Sequence, residues 1–289
     1  MILSVGEILV DMLQDGDSYH RYLGGAPFNM SVYAKRAGAK VCFVGRVGKD
    51  GFGEFLKEKA KNFGLDELYI QTDDNRNTTL AFVFLENGER DFAFYRENTA
   101  DYNISLKEID FSAFKNLNVV HLGSLMLSTS QGLKTAEQVV KIAKDLNLKL
   151  SFDVNFRADI FENESQAIST YLPFIENADV VKFSEDEIKL FANTQNLNDA
   201  LKRFDKKDRL LVVTTGAKGS LCRYNGNEYF QESKKVKPVD TTGAGDAFYG
   251  TFLANIEGKP FNEENVRLAL KKANTVGAET TQHHGAIKM

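Results

Sequence analysis

The segment Asp240-Thr-Thr-Gly-Ala-Gly-Asp246-Ala-Phe-Tyr-Gly250 joins a carboxylate to nearly bare backbone. Gly243, Ala244 and Gly245 carry almost no side chain, so a ligand can approach their amides closely. A helix-patterned apolar run, Ala247 to Ile256, follows at once. Free N–H groups at a helix start and the helix dipole both favour an anion. Asp246, expected to be ionised at such a position, sets a base beside that cradle. A base next to an anion site suits transfer of a phosphoryl group to a hydroxyl.

Other residues fit the two sides of such a transfer. In Gly24-Gly25-Ala-Pro-Phe-Asn29, paired glycines precede a Pro-started helix, and Asn29 offers both a donor and an acceptor to a polyhydroxylated ligand. Asp11 reads as lying just past the first strand, where open α/β sheets bind ligands. Taken singly, each is as readily a turn cap or a solvated acid; beside Asp246 the ligand-binding reading prevails. Thr214-Thr-Gly-Ala-Lys-Gly219 follows a buried strand and offers backbone N–H groups to phosphate. It lacks the GxxxxGK[ST] spacing of a Walker A loop. Gly243, Gly245 and Gly250 are not spaced as GxGxxG and come late in the chain, which disfavours a Rossmann dehydrogenase. Glu185, three residues after Lys182, suits the water shell of a nucleotide-bound Mg²⁺, and equally suits the first turn of a helix. Arg96 and Arg157 are candidate clamps for phosphate or sugar groups, although isolated arginines are mostly surface residues.

Rival chemistries find little. His20, His121, His283 and His284 have no partners at metal-ligand spacing, and neither Cys-x-x-Cys nor Gly-x-Ser-x-Gly occurs. The net charge of −4, with no basic run, argues against nucleic acid. No apolar stretch reaches transmembrane length, and the N-terminus reads as a strand rather than a signal peptide. Cys42 and Cys222 read as buried thiols of a cytoplasmic protein.

The elements that must position these residues alternate along the chain. Strands are expected at Ile2–Val10, Lys40–Val47, Asn118–Gly123, Lys149–Asn155, Val180–Ser184 and Leu210–Thr215, mostly as continuous apolar runs covered on both faces. Helices are expected at Pro27–Ala37, Phe52–Phe63, Leu133–Leu146, Ser165–Glu176, Glu185–Ala192 and Asp199–Phe204. That order predicts a mainly parallel sheet between helices. Thr79–Tyr95 breaks it: two apolar runs flank Asn87-Gly88, a hairpin signal. With Leu80, Phe82 and Phe84 on one face and Ala81, Val83 and Leu85 on the other, this hairpin needs two covers, the active site and a second subunit; the plainer reading folds it into the core. Asn225-Gly226 marks a second, more polar hairpin at a sheet edge.

Gly24 to Asn29 through Gly45-Arg-Val-Gly-Lys-Asp50-Gly-Phe-Gly53 resembles the first signature of the ribokinase-like carbohydrate kinases, the phosphofructokinase B family, and Asp240–Gly250 resembles the second. Within that family the chain is most similar to bacterial fructokinases, through Gly45-Arg-Val-Gly-x-Asp, Thr79-Leu-Ala-Phe, Asn87-Gly-Glu-Arg90 and Val181-Lys-Phe-Ser184. The resemblance implies a single domain over residues 1–289 and a three-layer α/β/α ribokinase-like fold with a small β-lid built from about 12–24 and 72–101; the two apolar faces of that lid, not the resemblance, point to a homodimer formed through it. It implies ATP as donor, Mg²⁺, and a small sugar, D-fructose first, as acceptor. Asp246 would be the base, with Gly243, Ala244 and Gly245 as the anion hole. Asp11, Gly25 and Asn29 would bind sugar hydroxyls, and Lys182, Thr214, Gly216, Gly219 and Asn274 would line the nucleotide site. Asp240 and Thr242 match positions that help hold K⁺ in relatives. The alternatives are a 2-keto-3-deoxygluconate kinase, with Arg96 reading the carboxylate, another small-sugar or nucleoside kinase, or a non-catalytic sugar sensor.

Overall fold

Most of the short apolar runs become strands of one nine-stranded sheet. The computed structural model describes residues 1–86, 89–111 and 114–288. The large sheet contains β1 (Ile2–Val5), β4 (Val41–Gly48), β5 (Glu67–Asp73), β8 (Val119–Leu122), β9 (Lys149–Asp153), β10 (Val180–Ser184), β11 (Leu210–Thr214), β12 (Gly219–Tyr224) and β13 (Asn227–Glu232). The smaller sheet contains β2 (Leu9–Asp15), β3 (Ser18–Gly24), β6 (Leu80–Glu86) and β7 (Glu89–Tyr95). In space the large sheet runs β13-β12-β11-β10-β9-β8-β1-β4-β5, parallel from β11 to β5. The hairpin β12–β13 adds the antiparallel edge expected around Asn225-Gly226.

Side-chain alternation along these strands feeds two helical layers. Leu3, Val181, Phe183, Leu211 and Val213 join one core with α3 (Ser130–Asp145), α4 (Glu164–Asn177), α5 (Glu185–Ala192) and α6 (Leu197–Phe204). Ile2, Val180, Leu210 and Val212 join the other with α1 (Ala26–Arg36), α7 (Ala244–Ile256) and α8 (Glu263–Thr280). The same period decides where the polar residues go. Lys182 pairs with Asp153 across β10 and β9, two residues from the pair Val180–Ser151. The hydroxyls of Ser151 and Tyr249 of α7 lie 2.7 Å apart, so that face of the sheet is the α7 side.

Three features differ from expectation. The run Ile2–Val10 is two strands: the chain leaves the large sheet at Gly6-Glu7-Ile8 and enters the smaller one at Leu9. Gly6 is pinned there, since a Cβ would stand 2.5 Å from Pro27 Cγ and 3.1 Å from Gly123 Cα. Asp11 therefore lies inside a strand of the smaller sheet, not in a loop past the first strand. The edge strand β5 and the long helix α8 complete the fold without having been anticipated.

In the smaller sheet β2 pairs antiparallel with β3 and parallel with β6, which pairs antiparallel with β7. Asp11, Ala81 and Phe94 form one register row. Leu9 and Ala81 pack with Leu125 of the main body. The opposite face carries aromatic contacts of Phe82 with Tyr19 at 5.2 Å and with Tyr95 at 5.0 Å. Tyr19 is 39% and Tyr95 64% exposed, an unusual amount for rings in such a cluster. The turn expected at Asn87-Gly88 lies outside the described residues. Cys42 and Cys222 are buried and free, and no helix among the described residues is long and apolar enough to cross a membrane.

Candidate active site

Two cavities meet at the N-terminus of α7. One, of about 300 Å³, is lined by Glu7, Asp11, Gly25, Asn29, Lys182 and Asp246, among others. The second, of about 410 Å³, is lined by Thr214, Gly216, Gly219, Ala244, Phe248 and Asn274, among others. Thr241 and Gly245 belong to both walls.

The junction has a local cause. Gly243 caps α7 at φ 73°, a left-handed conformation, and a Cβ there would stand 2.6 Å from Ala286. Two turns on, Gly250 lets α7 cross α1 closely, because a Cβ would come within 2.2 Å of the Met30 carbonyl. The crossing brings Asn29 to Asp246, and the Asn29 amide donates to Asp246 Oδ2 at 2.8 Å. Burial raises the Asp246 pKa, while the Asn29 bond and the charges of Lys182 and Arg157 pull it back; the net direction is up. A helix N-terminus by itself favours the ionised form. Asn29 Oδ1 is buried without a partner, ready for a hydroxyl. Of the cradle residues, Gly243 and Gly245 line the first cavity. Ala244 lines the second, and its N–H makes a turn bond of 3.3 Å to the Thr241 carbonyl.

Lys182 stands in the first cavity rather than the nucleotide-side one where the sequence put it. Its ammonium donates to both oxygens of Asp153, at 2.8 and 2.9 Å, and a Cβ on Gly245 would lie 3.4 Å from it. Asp153 thus fixes the Lys182 ammonium close to Gly245, at the start of α7. Burial pushes Asp153 up to about 6 despite Lys182, and Asp153 raises Lys182 against its own desolvation.

Asp11, Gly25, Asn29 and Arg157 all line the first cavity. Arg96 does not. Its side chain is 6% exposed and ion-paired with Asp101 at 2.7 Å, and it donates to Ser128. Glu185 lines neither cavity; Lys189, one turn on, pairs with it at 2.6 Å and lowers its pKa, the outcome of the helix-turn alternative. The first cavity also takes residues the sequence did not single out, notably Glu7, Asn155 and the apolar wall Leu9, Phe94 and Leu125. Those three become legible only once the smaller sheet is docked. Glu7, an acid after a glycine, gives no signal that it will be 3% exposed.

Thr214, Gly216, Gly219 and Asn274 do share the second cavity. Gly219 has φ 131°, and a Cβ would collide with the Gln231 carbonyl at 2.1 Å. Asn274 donates to that carbonyl at 2.8 Å, tying α8 to β13. Asp240 is buried and accepts from the N–H groups of Thr242 (2.7 Å) and Gly285 (2.9 Å). Thr242 Oγ1 beside it is buried without a hydrogen bond.

The defining pattern of the pfkB family carbohydrate kinases matches residues 2–289. Fructokinase-1 of Zea mays is 34% identical over 304 residues, which cover 99% of this chain and 93% of the relative. A fructokinase from Vibrio cholerae O395, solved with fructose, ADP and calcium ion bound, superposes with a TM-score of 0.90 at 32% identity, covering 99% of this chain and 94% of that one. A fructokinase from Xylella fastidiosa with bound ATP gives a TM-score of 0.90 at 30% identity, covering 99% and 93%.

Proposed function

The chain belongs to the pfkB family of carbohydrate kinases, and we propose that it is an ATP-dependent fructokinase with Asp246 as the base. The observation that carries this reading is the shared wall: a cavity rich in carboxyls and a cleft lined by glycine amides and apolar groups touch at Thr241 and Gly245. An acceptor on one side and a donor on the other can then exchange only the group that lies over the α7 amides.

In this reading the sugar docks against Asp11, Gly25, Asn29 and Arg157, with its primary hydroxyl on Asp246. MgATP lies along Thr214–Gly219, with Asn274 behind it. The amides of Gly243 and Gly245, with Lys182 close by, take the charge of the γ-phosphoryl group. The sugar oxygen bonds to phosphorus, its proton passes to the Asp246 carboxylate, and the bond to the bridging oxygen breaks with its electron pair left on ADP. Such a transition state is loose, so positioning and charge stabilisation carry most of the rate and a weak base suffices. Ala244 contributes its place in the cleft wall more than its N–H. Mg²⁺ would be held chiefly by the nucleotide phosphates, where it would offset their charge, and Glu185 would reach it only through water. Asp240 and the unpartnered Thr242 hydroxyl fit a K⁺ ion, which would stiffen the loop ahead of the cradle.

The smaller sheet serves as a lid on the acceptor side, excluding water that would otherwise take the phosphoryl group. Its outer aromatic face, with Tyr19, Phe82 and Tyr95, packs on a second copy of the chain. The 2-keto-3-deoxygluconate alternative loses the cation assigned to it, because Arg96 is committed to Asp101; the arginine in the acceptor cavity's wall is Arg157.

An ADP-release screen over fructose, ribose, 2-keto-3-deoxygluconate and adenosine tests the reading. Fructose should give the highest kcat/KM. A higher value for another acceptor reassigns the substrate, and sugar binding without ADP release with any of them means a sensor. A monodisperse monomer in sizing with light scattering removes the dimer.

A further inference from the structure

Resting on the reading of the first cavity as the acceptor site, we propose that Glu7 is a further substrate-binding residue that sets specificity, its free carboxyl oxygen hydrogen-bonding a hydroxyl of the sugar. Glu7 occupies the crossover between β1 and β2, where the chain passes from the large sheet to the smaller one. It is 3% exposed and yet lines the acceptor cavity. Its Oε2 is buried with no hydrogen-bond partner. Buried carboxyl oxygens are ordinarily satisfied, because an orphan forfeits its hydration for nothing. The surrounding backbone is pared down to make room for it. A Cβ on Gly123 would lie 2.8 Å from Oε2, and a Cβ on Gly25 would lie 2.5 Å from the Glu7 carbonyl. Glycine stands at both positions.

The chemistry of the cavity asks for what Glu7 can give. A sugar hydroxyl both donates and accepts. Asp11 and Asp246, as carboxylates, only accept, and the Asn29 amide already donates to Asp246. A protonated carboxyl adds an O–H donor. Burial raises the Glu7 pKa to about 7, opposed by its own backbone N–H; Asp101 and Asp246 raise it further and Arg96 lowers it. The other ionisable group that interacts with it is the buried phenol of Tyr171, from α4, which stays neutral. Near neutrality the carboxyl is therefore poised to keep its proton and donate it in a hydrogen bond to a sugar oxygen.

The test uses the full chain with MgATP, the best acceptor of the screen, and that sugar's monodeoxy analogues. In wild type, one analogue should lose about tenfold or more in kcat/KM through the missing contact. Glu7→Leu should raise the sugar KM by a similar factor, leave the ATP KM within about twofold, and no longer discriminate against that analogue. Glu7→Gln, whose amide still donates, should recover part of the sugar KM. An unchanged sugar KM in Glu7→Leu, or undiminished discrimination, overturns the assignment. If Glu7→Leu does not fold, the pH profiles decide. The wild-type sugar KM should rise as pH climbs through 7 while that of Glu7→Gln stays flat, and parallel profiles overturn it. Wild type inactive on every acceptor would instead overturn the kinase reading, and this assignment with it.

Discussion

The acceptor cavity and the nucleotide cleft share a wall but are made of different material. The first is built from ionisable side chains: buried Glu7, half-buried Asp246, and buried Lys182 with Asp153 behind it. The second is built from backbone, with Gly216 at φ 59° and Gly219 at φ 131°, and from apolar neighbours such as Val236 and Phe248. A neutral sugar brings no charge and must be held by directional hydrogen bonds. A nucleotide triphosphate brings its own charge and cation, and needs amides and a flat apolar slot. The difference teaches where each region is vulnerable: the first to changes of charge, the second to changes of shape.

The largest effect should come from Asp246→Asn. It keeps the shape and removes the base, so kcat should fall about 10²–10⁴-fold with ATP affinity and thermal stability retained. Near-normal turnover would remove Asp246 from its role and leave the charged cavity without a chemical purpose.

Next in size is the buried ion pair. Lys182→Met leaves Asp153 uncompensated at 6% exposure and should cost about 3–5 kcal/mol in urea unfolding. Replacing both partners with apolar residues should restore most of that stability but not turnover, since the cation close to the cradle is still missing. If the double variant regains activity, Lys182 is structural only.

The two regions also differ in how much the sequence disclosed. The second cavity was legible because its requirements are conformational. Thr214-Thr-Gly-Ala-Lys-Gly219 and Ala244-Gly245 advertise bare backbone after a strand and before a helix. The parallel sheet was legible for a similar reason, as continuous apolar runs. The acceptor cavity was legible only in part. Asp11, Asn29 and Arg157 were found, but Glu7 and the switch of sheets at Gly6 were hidden inside what reads as one apolar strand. Charged residues were the least predictable. Arg96 and Glu185 found partners in Asp101 and Lys189, and Lys182 turned to the acceptor side because strand alternation and register, not type, aimed it. The edge strand β5 alternates weakly, with Glu67 and Tyr69 exposed, so periodicity gave it no outline.

Glu7 offers a sharper measure of the contrast through pH. Its folded pKa, about 7, lies above the ordinary value of 4.5. Such a group imposes no penalty below 4.5, where both states are protonated. As pH rises from 4.5 through 7 the unfolded chain ionises first, so the folded state loses up to about 3 kcal/mol by pH 8. Glu7→Gln removes the ionisation. Its melting temperature should come closest to wild type near pH 4 and exceed it most at pH 8. A gap that does not change with pH would mean that Glu7 is not held protonated by burial.

The smallest effect belongs to the cleft. Asn274 lies on α8, and its amide donates to the carbonyls of Gln231 at 2.8 Å and Glu232 at 3.4 Å. The Gln231 carbonyl is also the atom that a Cβ on Gly219 would strike. Asn274 thus holds the end of β13 at the distance Gly219 requires, and the spacing of the cleft walls depends on it. Asn274→Ala removes about 1 kcal/mol of hydrogen bonding and should lower the melting temperature by roughly 2–4 °C. The ATP KM should rise severalfold as the wall relaxes. The sugar KM should stay put, because no residue of the acceptor cavity touches this bond. An equal rise in both KM values would show that the shared wall at Gly245 transmits the slack, and that the cavities differ in material but not in mechanics.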